Sequence, residues 1–150
     1  MSEIFIINEW IWADLNGDNG SEKQKEAFWF LCTLYEKCDK LGVAKGSPFQ
    51  TKEGDFSKKT IGIQKREIAR FYFGQIRFNS KKYKEVDIKE KEEIDLKGIN
   101  RDDIYLMKTY EAIKAPVITT DNKLMEILES KGIPCKSRDA FLKEYLSNYF

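Results

Sequence analysis

The sequence predicts an α/β fold in which helices flank a central, mostly parallel β-sheet. Short apolar runs alternate with longer segments whose apolar residues recur every three or four positions, as in parallel sheets wrapped by helices. Hydrophobic residues make up 41% of the 150 residues, which is enough to build a core. This length is typical of one domain, so we expect residues 1–150 to form a single domain.

The N-terminal elements are predicted from two apolar segments and the turns that follow them. Residues 4–7, with the sequence IFII, predict a short buried strand because β-branched and aromatic residues follow one another without polar interruption. Residues 9–15 predict a short helix that ends at the turn-forming residues 16–20. Ser21 and Gln24 have the spacing of a capping box, so they predict the start of a second helix.

The middle of the chain has a less regular pattern. We expect Gly42 to end the second helix and residues 43–44 to begin a second strand, followed by an irregular stretch over residues 46–57. Residues 63–78 predict a helix with one apolar face. Residues 80–96 are rich in lysine and glutamate, and their sequence fits either an exposed strand or a loop.

The last third of the chain returns to a regular alternation of elements. Residues 100–113 and 123–130 predict helices because their apolar residues are spaced by three or four. Residues 116–119 predict a buried strand between these helices, and residues 133–135 predict a last short strand. An amphipathic helix over residues 141–146 completes the pattern on which the predicted fold class depends.

The composition excludes several kinds of catalytic site. The chain has no histidine, which excludes Cys/His zinc sites, histidine general bases and Ser-His-Asp triads. No apolar run approaches the ~18 residues of a membrane span, and the first residues do not resemble a signal peptide. We therefore expect a cytoplasmic protein without membrane segments, in which any catalysis uses carboxylates, lysines, hydroxyl groups or a bound metal.

Polar side chains follow two of the predicted strands. Asn8 and Glu9 follow the first strand, and Thr119 and Asp121 end the strand in the last third of the chain, while Asp103 begins the helix leading into it. A helix rises about 1.5 Å per residue and a strand about 3.3 Å, so about eleven helical residues and about five strand residues cover the same distance of about 16 Å. If the helix packs antiparallel to the strand, the segment between the two aspartates therefore ends beside the point where it began. We expect Asp103 and Asp121 to lie close together at the carboxyl end of the sheet, where ligands bind in such folds.

Neighbouring carboxylates at this position predict a cation site. Their mutual repulsion is removed by a divalent cation, and oxygen ligands with open water positions suit Mg²⁺ or Mn²⁺. Such a cation activates water for attack on a phosphodiester. Each aspartate also fits a simpler role, because Asp121 would cap the helix that it precedes and Asp103 would form a capping pair with Asn100. Both roles stay open, and one residue can fill both.

The segment DIYLMKTYEAIKAPVITTD, residues 103–121, resembles the C-terminal signature of the PIN-domain ribonucleases, which include the VapC-type toxins. That signature is an aspartate, an apolar helix, a short apolar strand and Thr-x-Asp, and Thr119 and Asp121 match its end. The opening segment IFIINEWIWADLNG is similar to the first strand of the family, with Asn8 at the position of the first aspartate. The resemblance is weak between residues 42 and 98.

The resemblance implies a PIN-like three-layer fold and a Mg²⁺- or Mn²⁺-dependent endoribonuclease, either a toxin or an RNA-processing enzyme. In that case Asn8, Asp103 and Asp121 would be the metal ligands. Thr119 would orient a phosphate or an aspartate, and Glu53 would aid the activation of water. By resemblance alone, the partners would be RNA, an antitoxin whose basic side chain occupies the acidic cleft, and a second copy of the chain in a homodimer.

Two positions of the implied site leave alternatives. Glu53 fits a place early in the helix after the second strand, with Asp55 and Glu67 as alternatives, whereas Glu36 lies late in the preceding helix. Asn8 has the shape of an aspartate without its negative charge. The asparagine is either an engineered inactivating change or the mark of a weakened relative. The alternative function is therefore a non-catalytic PIN-fold module that binds RNA or a protein.

Residues 58–84 are the most basic part of a chain whose net charge is only +1. Nine basic residues and one acidic residue give this stretch a local charge of +8, and aromatic residues lie between them. Because lysine and arginine neutralise phosphates and aromatic rings stack on bases, Lys65, Arg66 and Arg70 are candidates for RNA binding. The alternative is a solvated helix face whose aromatic residues belong to the core.

Overall fold

The computed structural model describes residues 2–59, 62–88 and 96–147, and within them five strands form one sheet flanked by seven α-helices. A π-helix (Tyr72–Arg77) and a 3₁₀ turn (Arg101–Asp103) extend two of the helices. The elements in chain order are β1 (Ile4–Ile7), α1 (Trp10–Asn16), α2 (Ser21–Glu36), β2 (Lys40–Ala44), α3 (Pro48–Lys58), α4 (Ile63–Phe71), β3 (Tyr83–Val86), α5 (Ile104–Ile113), β4 (Val117–Thr119), α6 (Asn122–Ser130), β5 (Cys135–Ser137) and α7 (Arg138–Tyr145).

The strand order is β3-β2-β1-β4-β5, and every pairing in the sheet is parallel. The predicted α/β class with a parallel sheet is therefore confirmed, and the architecture is consistent with a PIN-like three-layer fold. From β1 the chain goes first to β2 on one side, and β4 later pairs on the other side. This reversal makes the carboxyl ends of β1 and β4 the topological switch point, where a crevice for ligands forms in open parallel sheets.

Helices cover both faces of the sheet. Phe5 packs against Phe141 of α7 with ring centroids 4.9 Å apart. Its neighbour Ile4 lies beside Gly42, which faces Ile113 of α5. Because successive residues of a strand point to opposite faces, α7 and α5 lie on opposite sides of the sheet. The helix α2 packs on α7, and α6 packs on β4 and β5.

An aromatic cluster fixes α3 against the start of the chain. The indole ring of Trp12 in α1 lies 5.2 Å from the ring of Phe49 and 5.6 Å from that of Phe56, both in α3. Tyr72 of the π-helix packs edge-on against Trp12 at 5.1 Å. Aromatic pairs of this kind contribute about 0.5 to 1.5 kcal/mol each beyond their burial. They hold α3 beside α1 and so determine what the side chains of α3 can reach.

The predicted capping box at the start of α2 is not formed. Gly20 occupies the N-cap position with no side-chain hydrogen bond, and Ser21 is the first helical residue. The amide of Gln24 instead donates to the carbonyl oxygen of Leu15 at 2.9 Å, so it links α2 back to α1. A tertiary hydrogen bond has thus replaced the local one that the spacing predicted.

Two predictions in the middle of the chain were also wrong. Gly42 lies inside β2, where a Cβ atom would come within 2.2 Å of the Ile113 Cδ1 atom, so the glycine permits close packing of α5 rather than ending a helix. The expected irregular stretch over residues 46–57 is mostly helical, since α3 begins at Pro48, a residue favoured at the first position of a helix. The open choice for residues 80–96 is resolved in part by β3, and residues 89–95 lie outside the described residues.

None of the helices in the described part of the chain combines the length and the apolar character that crossing a membrane requires.

Candidate functional site

The carboxyl ends of β1 and β4 are tied together by side chains. The backbone N–H of Asn8 donates to the carbonyl oxygen of Ile118 at 3.0 Å, which continues the β1–β4 ladder by one residue. The Asn8 amide Nδ2 donates to Thr119 Oγ1 at 2.9 Å, and the Thr119 side chain is fully buried. The indole N–H of Trp10 donates to the carbonyl oxygen of Ile118 at 2.9 Å, so this side chain also links the end of β1 to β4. The sequence therefore brings Asn8 and Thr119 together, as expected, at the floor of the crevice.

Asp121 is the N-cap residue of α6 and lies two residues after Thr119, the last residue of β4. Its backbone N–H donates to Thr119 Oγ1 at 3.1 Å, so the same hydroxyl holds both strand ends. Its carboxylate oxygen Oδ1 accepts from the backbone N–H groups of Lys123 and Leu124 at 3.0 and 3.1 Å, which is N-cap geometry. The capping role considered for Asp121 is therefore present. One oxygen caps the helix, and no hydrogen bond within the described residues uses the other, Oδ2.

Asp103 lies at the start of α5, and with Asp121 and Lys123 it lines one open pocket of about 430 Å³. Its backbone N–H donates to Asn100 at 2.9 Å, but its carboxylate makes no capping hydrogen bond. Within the described residues this half-buried carboxylate has no hydrogen-bond or ion-pair partner. Burial raises the pKa of Asp103 above its ordinary value, and the negative charge of Asp121 raises it further.

Glu9 is a third carboxylate at the crevice, which the sequence analysis did not include among the site residues. Its charge also raises the pKa of Asp103, after burial and Asp121. Its backbone N–H donates to Asn8 Oδ1 at 2.7 Å, and its carboxylate contacts Lys52 Nζ at 3.3 Å and Tyr105 OH at 3.4 Å. Glu9 directly follows a strand end, and that position is the sequence signal that could have identified it. The predicted site took only Asn8 from this strand end, because Asn8 matches the position of the family's first aspartate.

Tyr105 joins the two sides of the crevice. Its hydroxyl lies 3.4 Å from both Asn8 Oδ1 and Glu9 Oε2, and the side chain is buried. Burial raises the pKa of Tyr105, and the charges of Glu9 and Asp103 raise it further, so the phenol stays protonated and donates. Because Tyr105 is on the first turn of α5, two residues after Asp103, it fixes that helix start against the end of β1.

Glu53 lies in a different environment. Its Oε2 accepts from Tyr72 OH at 2.5 Å and from Tyr83 OH at 3.1 Å, and its Oε1 accepts from Arg77 Nε at 2.6 Å. Only 4% of Glu53 is exposed, and none of these partners belongs to the crevice. The expected role in activating water is therefore not supported by this geometry. The preceding residue, Lys52, reaches the crevice instead.

The other acids considered for that role are all exposed. Asp55 lies on the outer side of α3, Glu67 on α4 and Glu36 at the end of α2. Nothing in the contacts of Asp55 or Glu67 connects either residue to Asp103 or Asp121. The described crevice therefore draws its carboxylates from the start of α1, α5 and α6, and none from α3.

The basic stretch is divided between surface and interior. Arg66 and Arg70 are exposed on α4, and Lys65 is half-buried. Two further members have structural roles. Arg77 forms an ion pair with Glu53. The ammonium of Lys82 donates hydrogen bonds to the carbonyl oxygens of Leu34 and Lys37 at the end of α2. The charge of +8 in the sequence thus overstates the positive charge that the surface presents.

The donor set at the crevice fits a hard divalent cation held by few protein ligands. Asp103 and Asp121 each offer a carboxylate oxygen without a hydrogen bond in the described residues, and Mg²⁺ is usually held by one or two carboxylates with water and phosphate completing its shell. No group of three or more Asp, Glu, Cys or His side chains in the described ranges is close enough to hold one metal ion. A cation here would therefore have an open coordination sphere.

The chain was compared with protein-family models, with curated proteins and with solved structures. None of the three comparisons finds a match.

Proposed function

We propose that the protein is a Mg²⁺- or Mn²⁺-dependent endoribonuclease of the PIN type, with activity reduced by Asn8. The observation that supports this proposal most directly is the carboxylate of Asp103. It is half-buried, has no partner among the described residues, and faces the charges of Asp121 and Glu9. Such an arrangement costs free energy unless a cation offsets it. It also lies at the switch point of a parallel sheet, where ligands bind in such folds.

The roles follow from the donors that each residue offers. Asp103 and Asp121 would hold the cation, which would lower the pKa of a water molecule and stabilise the charge of an attacked phosphodiester. Thr119 keeps the two strand ends in register, since its hydroxyl accepts from both Asn8 and Asp121. Glu9 supplies negative charge beside Asn8 and is in reach of Lys52. RNA is the substrate that the sequence resemblance suggests.

Asn8 is the reason for expecting weak activity. Its amide nitrogen donates to Thr119, and its Oδ1 accepts from Glu9 and Tyr105, so the side chain serves the structure of the crevice. An aspartate at this position would add a negative charge about 3 Å from Thr119 without changing shape. The Thr119 hydroxyl would then donate to the new carboxylate, and the hydrogen bond would survive with its direction reversed.

The test is cleavage of single-stranded RNA by the wild-type chain and by Asn8→Asp, each with and without EDTA. We expect Asn8→Asp to increase metal-dependent cleavage and Mn²⁺ affinity by about tenfold, or about 1.4 kcal/mol, because one negative charge is added at the cation. Asp55→Asn, an exposed carboxylate on α3, is the matched control and should change neither. Cleavage that persists in EDTA, or no gain in Mn²⁺ binding by calorimetry in Asn8→Asp, would count against the proposal.

The second candidate is a non-catalytic PIN-fold module that binds RNA or a protein. Two observations favour it: position 8 carries no charge, and the ammonium of Lys52 lies 3.3 Å from the carboxylate of Glu9. A module of this kind would retain RNA or partner binding in EDTA and would gain no cleavage from Asn8→Asp. An antitoxin-like partner would place a basic side chain at Asp103, so Asp103→Asn would weaken that complex.

Two further proposals concern partners, the first from the basic stretch and the second, a homodimer, from the sequence resemblance alone. If Lys65, Arg66 and Arg70 guide RNA to the crevice, changing all three to glutamate should weaken RNA binding and reduce its salt dependence. Unchanged binding would favour the solvated helix face. A homodimer, if formed, would appear as twice the mass of 17.6 kDa in sedimentation equilibrium.

A further inference from the structure

Lys52 places a positive charge next to Glu9, one of the carboxylates at the crevice. It lies on the second turn of α3, and its Nζ is 3.3 Å from Glu9 Oε1 across the α1–α3 boundary. The helix that carries it is fixed by the packing of Phe49 and Phe56 on Trp12. The position of Lys52 is therefore set by the fold, while its flexible stem leaves the ammonium free to move.

The contact with Glu9 is a weak one that a ligand can exchange. The Lys52 side chain is 55% exposed and that of Glu9 is 20% exposed, so water competes for the ammonium. Exposed ion pairs of this kind contribute little to stability. By contrast, Glu9 keeps its second oxygen near Tyr105 and its backbone N–H on Asn8, and those contacts hold it at the crevice whether or not Lys52 is present.

We propose that Lys52 sets the cation affinity of the crevice: its ammonium offsets the charge of Glu9, which would otherwise add to the attraction of Asp103 and Asp121 for a divalent cation. This inference rests on the proposed function, since it concerns the affinity of the same site. Glu9 adds a negative charge near the pair Asp103 and Asp121, and the ammonium of Lys52 offsets that charge.

The consequence has a definite sign. Removal of the lysine charge increases the affinity of the crevice for a divalent cation, because the negative charge of Glu9 is then no longer offset by the ammonium. Retention of the charge in another form leaves the affinity where it was. Added salt screens these charges and reduces the difference between the charged and neutral forms.

The experiment measures Mn²⁺ binding by calorimetry at low ionic strength in four forms of the full chain: wild type, Lys52→Met, Lys52→Arg and Lys58→Met. Lys58→Met is the matched control, because it removes an exposed lysine from the last turn of the same helix. We expect Lys52→Met to bind Mn²⁺ about three- to fivefold more tightly than wild type, with Lys52→Arg and Lys58→Met close to wild type. The gain should shrink when the measurement is repeated in ~0.5 M salt.

Three results would overturn the inference, and they have different meanings. Mn²⁺ binding to wild type with no gain in Lys52→Met rejects the role of Lys52 and leaves the proposed function intact. An equal gain in Lys58→Met shows a general effect of net charge and also rejects it. Absence of Mn²⁺ binding in all four forms, with circular dichroism showing that each is folded, rejects the proposed function and this inference together.

Discussion

Two carboxylates of this protein, Glu53 and Asp103, lie in opposite environments. Glu53 is buried and accepts hydrogen bonds from Tyr72, Tyr83 and Arg77. Asp103 is half-buried, yet no hydrogen bond or ion pair in the described residues reaches its carboxylate. Both were candidates for the same catalytic constellation on the basis of sequence. Their surroundings assign them to different tasks, one in the core and one at a cleft.

The difference shows that the number of hydrogen-bond and ion-pair partners of a carboxylate, more than its burial, indicates whether it can bind a ligand. A buried carboxylate whose donors are all within the protein has little capacity left for a ligand, and its removal leaves those donors unsatisfied. A carboxylate without partners, next to other negative charges, is destabilising in the free protein and is stabilised when a cation binds. By this criterion the crevice of Asp103 and Asp121 is the better candidate for a ligand site, and the surroundings of Glu53 stabilise the packing of α3.

The largest effect is expected for Glu53→Gln. The substitution keeps the shape but removes the charge that faces Arg77, whose other carboxylate partner, Glu85, is 3.6 Å away. The new NH₂ group also faces either Arg77 or the hydroxyls of Tyr72 and Tyr83, which are all donors, so we expect a loss of about 2 to 3 kcal/mol in the free energy of unfolding. Urea unfolding followed by circular dichroism measures it. Asp55→Asn on the same helix is the control, with an expected change below about 0.5 kcal/mol. If Glu53 has only the structural role, Mn²⁺ affinity is unchanged in the folded variant; a lost affinity would return Glu53 to the site.

A smaller effect is expected for two substitutions at Asp121, which separate its role as the N-cap of α6 from its proposed role as a cation ligand. Asp121→Ala removes both the N-cap of α6 and the charge, and should cost about 1 kcal/mol of stability. Asp121→Asn keeps a capping oxygen and should cost only a few tenths of that. Both should weaken Mn²⁺ binding by at least about tenfold, because both remove the charge. Equal stability of the two variants would show that the cap contributes little, and retained Mn²⁺ binding in Asp121→Asn would reject a ligand role.

These two sites also show what sequence reasoning could reach. The approach of Asp103 to Asp121 follows from helix and strand rise alone, because both residues lie at the ends of one antiparallel helix–strand unit. The contact of Asn8 with Thr119 follows from the parallel sheet, in which the carboxyl ends of β1 and β4 meet. Local rules are sufficient where the residues share one element pair or one edge of the sheet.

The positions of the Glu53 and Lys52 side chains could not be predicted from those local rules. The two are adjacent in α3, yet one faces the π-helix and the other reaches Glu9. Which of them enters the crevice depends on the rotation of α3, and that rotation is set by the packing of Phe49 and Phe56 on Trp12. No local pattern encodes it. For the same reason Gly42 was misassigned, since its role depends on a side chain 71 positions later, Ile113 of α5.

The smallest expected effect, a gain in stability from Asp103→Asn, tests the other half of the comparison. A raised pKa means that folded Asp103 binds its proton more tightly than the unfolded chain does, so stability is lost as pH rises from the ordinary value of 3.8 through the native one. Asparagine carries no charge and avoids that loss. We expect Asp103→Asn to be more stable than wild type by about 0.5 kcal/mol at neutral pH, or about 1 to 2 °C in Tm. The effect is small because water screens the charge of a half-exposed carboxylate.

Two further measurements connect this gain to the proposed site. The advantage of Asp103→Asn over wild type should shrink as pH falls toward about 4, because protonation removes the charge of the wild-type residue as well. Saturating Mn²⁺ should reverse the order, because the cation stabilises wild type by binding the folded state and has lost a ligand in the variant. A stabilisation of Asp103→Asn that is independent of both pH and Mn²⁺ would mean that the gain is not electrostatic. The unpartnered carboxylate would then be an ordinary surface group, and the contrast with Glu53 would carry no functional meaning.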